Sequence, residues 1–199
     1  MKFQEGFYFH LFNRGNTEKD ILFRHHENYL YFLKKYREYL DEYFDTICYC
    51  LLPNHFHFLV KVKDANLQNF TNRGDLDYSH KIIQQISNFL NCYAKSYNKK
   101  FNRRGSLFQK RTKSKIVDSV VYFQRLVRYI HRNPIKHNYV DMLESWEYSS
   151  YLDYIGFRNG TLPKKKFVLE NFKGIEDFKK FTESKIDIYE DEFKQYLFE

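Results

Sequence analysis

Pro53-Asn54-His55-Phe56-His57-Phe58-Leu59-Val60-Lys61-Val62 is the stretch on which the reading of the fold turns. Aromatic and branched apolar residues crowd a short run that ends at Lys63-Asp64, the composition of a β-strand. Side chains alternate along a strand, so His55 and His57 share one face while Phe56, Phe58 and Val60 share the other. Two imidazoles side by side on a rigid strand form half of a divalent metal site. The matching half lies in Arg128-Tyr129-Ile130-His131-Arg132-Asn133-Pro134. If that run is helical, Tyr129 and Asn133 are one turn apart on one face. A phenol beside a metal-binding carboxamide, facing two histidines, points to a tyrosine nucleophile attacking a metal-held phosphodiester.

The surrounding sequence places these residues on a layered frame. Residues 7–12 read as a first strand, ended by the turn signal Asn13-Arg14-Gly15-Asn16. Over 26–43 the apolar residues Leu30, Phe32, Leu33, Tyr36 and Leu40 recur at helical spacing. A second strand spans 44–52, and Pro53-Asn54 turns it into the histidine strand as an antiparallel hairpin. A polar loop over 64–77 precedes a second long helix over 79–98, with Ile82, Ile83, Ile86, Leu90 and Tyr93 on one face. A short strand is expected near 115–117. Asp118 or Ser119 can then cap a helix that Pro134 ends, because the residue before proline avoids the α region. The order predicts an α+β fold of ferredoxin-like character, a central antiparallel β-sheet covered by α-helices. Glycines, a proline and three consecutive lysines near 156–166 mark a boundary. We therefore expect a catalytic domain over 1–155 and an acidic helical C-terminal extension over 156–199.

The chain has 199 residues and a formal net charge of +8. Residues 141–199 hold 9 basic and 13 acidic side chains, so the positive charge belongs to the part carrying the histidines and Tyr129. Such a balance favours a polyanionic partner. The segment 99–115 contains eight Lys or Arg and no acid, with Phe101, Leu107 and Phe108 interleaved. A charge run alone is usually a solvated face, but apolar anchors make this one an ordered loop suited to a phosphate backbone. The 20% aromatic content fits an A+T-rich coding bias and adds little. Cys48, Cys50 and Cys92 form no C-x-x-C, and the odd number argues against a disulfide framework. They read as core thiols of a cytoplasmic protein. No N-terminal signal peptide and no membrane span are expected.

A short H-x-H is a weak motif by itself. Here the shared face and the wholly apolar opposite face favour a metal role over ordinary sheet histidines. Two imidazoles and a carboxamide oxygen leave positions open for water and phosphate. That set suits Mg²⁺ or Mn²⁺ rather than a closed zinc site. Tyr129 is one of 18 tyrosines, so its case rests on Asn133 and on flanking Arg128, Arg132 and Lys136. Nearby cations and a metal would favour the phenolate over a phenol of pKa near 10. Asn133 alone reads equally as a helix cap. His131 and His137 flank the proline turn, where they could touch DNA or the site, but the favoured reading is simple surface histidines.

These pieces together resemble the REP-associated tyrosine transposases, a branch of the single-tyrosine HUH transposase superfamily. The resemblance runs from about residue 8 to 154. It rests on Phe12-Asn13-Arg14-Gly15-Asn16, the segment from Tyr49 to His57, Arg104-Gly105-Ser106-Leu107-Phe108-Gln109-Lys110-Arg111, the tyrosine segment, and Trp146-Glu147-Tyr148-Ser149-Ser150-Tyr151. It implies an HUH fold in which His55 and His57 hold the metal on the central strand, with Asn133 as third ligand. It implies that Tyr129 attacks single-stranded DNA, leaving a 5′-phosphotyrosine and a free 3′-OH. It also implies hairpin DNA from repetitive extragenic sequence as substrate. Either a monomer or a homodimer fits.

The expectation is thus a metal-dependent enzyme that cleaves and rejoins single-stranded DNA hairpins, cytoplasmic and nucleoid-associated. Expected DNA-binding residues are Arg14, Arg103, Arg104, Lys110, Arg111, Lys113, Arg132 and Lys136. The alternative is a domesticated hairpin-binding protein with little or no turnover. A weaker third reading is a metal-dependent RNA nuclease that uses water.

Overall fold

Two apolar runs separated only by Pro53-Asn54 have nowhere to go but back along each other. In the computed structural model, which describes residues 2–17, 20–64 and 74–184, they form β2 (Phe44–Leu52) and β3 (His55–Val62), paired antiparallel. β1 (Tyr8–Arg14) lies on the other side of β3, and β4 (Lys113–Val117) on the other side of β1, both antiparallel. The sheet order is therefore β2-β3-β1-β4. This is the split β-α-β arrangement: β1 and β2 run parallel with β3 between them, joined by the crossover helix α1 (His26–Leu40). The histidine strand is thus central, as the ferredoxin-like reading expects.

The two sheet faces bury different cores. Phe56, Phe58, Val60, Phe9 and Leu11 face α1 and α2 (Gly74–Lys100), whose Phe32, Tyr36, Ile82, Ile86, Phe89 and Tyr93 close the first core. Tyr36 stacks on Phe58 at 4.3 Å, and its hydroxyl satisfies itself on Thr46 Oγ1 at 2.8 Å. The second face is covered by α3 (Val120–Lys136) and by α4 (Tyr151–Tyr154), α5 (Lys166–Leu169) and α6 (Ile175–Glu183). Ile47, Cys48, Cys50, Leu52 and Leu59 meet Leu126, Val127, Ile130, Tyr154 and Phe178 there. A bulge between Thr46 and Cys48 shifts the β2 register, and Ile47 and Cys48 both enter this second core. All three cysteines are free.

Several expected boundaries move, each for a pairing reason. β1 runs on through Asn13-Arg14 instead of turning there, because Arg14 still pairs with His55 at the start of β3. The turn begins at Gly15. β4 starts at Lys113 because it pairs with the full length of β1 to Phe12. α2 begins at Gly74, so the end of the expected polar loop is already helical, while its residues 65–73 lie outside the described residues. Ser119 caps α3, accepting from Tyr122 N at 3.2 Å. Pro134 does not stop that helix, which continues to Lys136. Its missing N–H leaves only one helical bond unmade, and His137 N still closes onto Asn133 O at 3.0 Å. In the extension expected to form acidic helices, α6 carries three acids against two lysines, whereas α5 carries no acid, and residues 185–199 lie outside the described residues.

Trp146 to Tyr151 explains its own composition. Leu51 N donates to Tyr148 O and Ser150 N to Tyr49 O, so the segment runs along the outer edge of β2 and covers it. Ser150 Oγ also accepts from Tyr49 N at 2.9 Å, and Trp146 Nε1 donates to Leu51 O at 3.1 Å.

Candidate functional site

β3 fixes His55 and His57 on the face toward α3, and α3 brings Tyr129 and Asn133 against them. The His55 and His57 rings stand 5.2 Å apart at 86°. Asn133 is fully buried inside the helix, while the cap position falls to His137, so the carboxamide is not a terminal cap. Its Nδ2 donates to Tyr129 O at 3.0 Å, which turns Oδ1 toward His55 Nε2 at 3.3 Å. On the other side of the ring, His55 Nδ1 meets Asn54 Oδ1 at 2.7 Å. Carboxamide oxygens, which only accept, face both ring nitrogens; the one proton of the neutral ring goes to the shorter contact, at Nδ1, and leaves Nε2 as a lone pair. Two lone-pair atoms, His55 Nε2 and Asn133 Oδ1, therefore face each other. His57 Nε2 is also buried and without a hydrogen-bond partner. A buried polar nitrogen left in this state costs free energy and calls for an occupant. The Tyr129 ring is edge-on to His57 at 5.5 Å, and Lys136 Nζ lies 5.5 Å from the Tyr129 centroid.

The electrostatics fit a cation site rather than an acid–base pair. Burial drives the His55 pKa down to about 4, helped by His137 and Arg14 and opposed by Asn133. Burial also holds His57 well below its ordinary value, with His10 and His55 adding to the effect. Both imidazoles are thus neutral at pH 7, the state a metal requires. No three His, Cys, Asp or Glu side chains converge as a metal cluster among the described residues. The third donor here is a carboxamide, and the whole donor set is uncharged.

The sequence reading misses two neighbours, His10 and Lys115, and ranks a site role for a third, His137, below a surface one. His10, fully buried on β1, places Nε2 2.9 Å from His57 Nδ1. Only strand pairing reveals it, because nothing in β1 alone has an H-x-H pattern. His137 packs its ring 4.9 Å from His55, so it belongs to the site. Lys115, partly buried, pairs with His10 across β1–β4 and lies on the histidine face. His131 is corrected in the other direction: it is 1% exposed, and its Nε2 bonds Ser150 Oγ at 2.9 Å. It joins α3 to the edge segment in the second core and is no surface residue.

The expected DNA-binding residues separate into groups. Arg104, Lys110 and Arg111 are exposed on the basic loop, and Lys113 is exposed at the β4 edge. Arg14 pairs with His55 across the strands, and Lys136 sits by Tyr129. Arg103 instead organises the loop, pairing with Asp20 at 2.5 Å and donating to Gly105 O and Ser106 O. Arg132 donates to Thr182 O and Glu183 O, and Arg128 to Phe181 O, so both serve the C-terminal end of α6. The loop is anchored by Leu107 and Phe108, both buried in the first core, and by Gly15 pairing with Phe108. A cleft of about 760 Å³ separates it from α2, with Lys95, Lys110 and Arg111 among its lining.

No family model matches the chain. A protein of Haemophilus influenzae (strain ATCC 51907 / DSM 11121 / KW20 / Rd), assigned by name to the REP-associated tyrosine transposases, is 25% identical over 126 residues. That match covers 60% of this chain and 66% of the relative, just under two thirds of its length. A solved structure of a REP-associated tyrosine transposase bound to a REP hairpin superposes with a TM-score of 0.56 at 16% identity. It covers 78% of this chain and 83% of its own. The chain is thus similar in sequence to one REP-associated tyrosine transposase and shares the fold of another.

Proposed function

We propose that the protein is a DNA strand transferase that cleaves and rejoins single-stranded hairpin DNA through Tyr129. The observation that carries this reading is His55 Nε2 facing Asn133 Oδ1 at 3.3 Å, with the His57 ring, its buried Nε2 unpartnered, 5.2 Å from that of His55 and edge-on to Tyr129. Those three atoms would hold Mn²⁺ or Mg²⁺, Mn²⁺ being the better match to imidazole nitrogen. When bound, the ion supplies Lewis-acid polarisation of a phosphoryl oxygen and orients the scissile bond. The neutral donor set leaves the ion's charge uncompensated, so a DNA phosphate completes the site. Affinity for the metal is accordingly weak alone and stronger with DNA.

The chain's own residues carry the rest. α3 holds the Tyr129 phenol in place, and Lys136 adds positive charge beside its ring. The phenolic oxygen forms a bond to phosphorus as the P–O3′ bond breaks. The proton lost by the phenol is balanced by the one gained at the 3′-OH. Resealing is the same exchange in reverse, with a 3′-OH as nucleophile. The exposed Arg104, Lys110, Arg111 and Lys113 contact phosphates and position the strand. A hairpin substrate agrees with the hairpin held by the solved relative.

The test is a denaturing gel with labelled hairpins from repeats flanking the gene, with Mn²⁺, Mg²⁺ or chelator. Wild type is expected to give a metal-dependent covalent adduct that Tyr129→Phe lacks. An adduct that persists in Tyr129→Phe overturns the assignment of the nucleophile. Hairpin binding with no adduct under any metal condition identifies a non-catalytic binder instead.

A further inference from the structure

We infer that His10 is a positioning residue, the hydrogen-bond acceptor that keeps the Nδ1 proton of His57 in place and so presents His57 Nε2 as a lone pair. The inference rests on the metal reading above and extends it beyond the three ligands. In a neutral imidazole one nitrogen carries the proton and the other is free. His57 can offer Nε2 to a cation only if Nδ1 is the protonated one. The atom opposite that Nδ1 is His10 Nε2, at 2.9 Å. Among the described residues no other group takes that position, since the pair is enclosed between β1, β3 and α3.

The surroundings of His10 fit such a role better than packing alone. It is fully buried at the middle of β1, stacked on Phe12 at 4.5 Å and nearly coplanar with His57, 22° apart. Tyr129 stands edge-on to it at 6.5 Å. Its Nδ1 is buried without a partner, as is His57 Nε2. A leucine or phenylalanine would fill this space without burying an unsatisfied nitrogen. What a hydrocarbon cannot do is accept the His57 proton. Metal-bound histidines are commonly held by an acceptor on the second ring nitrogen, and loss of such a partner weakens metal binding.

The experiment compares Mn²⁺ affinity of the full chain, by paramagnetic resonance of free Mn²⁺, in wild type, His10→Leu, His10→Gln and His57→Ala. Urea unfolding in chelator accompanies each variant. His10→Leu should bind Mn²⁺ about 10–100-fold more weakly while unfolding at a midpoint no lower than wild type. His10→Gln keeps an acceptor oxygen and should recover most of the affinity. Equal affinity of wild type and His10→Leu, with loss in His57→Ala, overturns the role of His10 and leaves the metal site standing. Equal affinity of wild type and His57→Ala overturns both. If His10→Leu does not fold, nitrogen-15 spectra of the Mg²⁺-loaded wild type decide. A protonated His57 Nδ1 supports the inference, and a protonated Nε2 overturns it.

Discussion

At the scale of single residues, the site is defined by which atoms lack a partner. Asn133 shows this best, because its two amide atoms do different jobs. Nδ2 bonds the Tyr129 carbonyl and Oδ1 faces His55. Asn133→Asp removes the donor but keeps an oxygen, whereas Asn133→Ala removes both. Asn133→Ala is expected to weaken Mn²⁺ binding at least about 10-fold, the scale on which disturbing the groups around a metal acts. Asn133→Asp should bind Mn²⁺ more tightly than wild type in the absence of DNA, because the site gains a charge. Titration of both variants with Mn²⁺ checks this, and equal affinity in all three proteins would remove Asn133 from the site. Gly15 makes a different kind of point. A Cβ there would lie 2.5 Å from Asp20 O and 2.7 Å from Asp20 Cβ. Asp20 is held by Thr17 N and Arg103, so it has little room to give. Gly15→Ala should cost about 1–3 kcal/mol, read as a lower thermal midpoint with the metal site intact.

At the scale of elements, the basic loop contains two kinds of cation, and mutation should separate them. Lys110 and Arg111 project from the loop, whereas Arg103 ties it to Asp20 and to its own carbonyls. Lys110→Ala with Arg111→Ala should weaken binding to many hairpins alike. The salt dependence should flatten by about one unit for each DNA phosphate that is no longer neutralised, with no change in thermal midpoint. Arg103→Ala should lower the midpoint first. Salt-dependent binding isotherms and melting curves distinguish them, and a sequence-selective loss at unchanged salt slope would make Lys110 or Arg111 a base reader. Much of this level was legible in the sequence. The β2–β3 hairpin, the two long helices and the Ser119 cap follow from periodicity and local chemistry, because each is decided by neighbours in the chain. His55, His57, Tyr129 and Asn133 were legible because the strand period of two and the helix period near four fix their faces. Partners across strands were not legible. His10 meets His57 only through the β1–β3 register. Arg132 finds α6 only after the C-terminal segment folds back. Pro134 reads as a stop, yet tertiary packing of a strongly amphipathic α3 carries the helix through it.

At the scale of the whole molecule, the sheet divides an aromatic core from a second core that shares its face with the histidines. That second face buries imidazoles in a way that couples stability to pH. His10 and His131 are pushed down to about 3 and His55 to about 4, in each case chiefly by burial, and His57 lies well below its ordinary value for the same reason. In the unfolded chain these groups titrate near 6.5. Between roughly pH 6.5 and pH 4 the unfolded state therefore binds more protons than the folded one, and stability must fall as pH falls. The contribution is fully present above pH 6.5 and is lost as pH drops through the folded values. Each buried imidazole adds a slope of up to about 1.4 kcal/mol per pH unit in that window. The metal-free protein should thus show a urea midpoint that is level near pH 7.5 and declines steeply from pH 6.5 to 5. His131 lies away from Tyr129 and bonds Ser150 Oγ, so it tests the mechanism without touching the site. His131→Asn should reduce the steepness of that decline by about one imidazole's share and leave Mn²⁺ affinity unchanged. A midpoint that stays level from pH 7.5 to 5 in chelator would show that the second core does not hold these rings neutral.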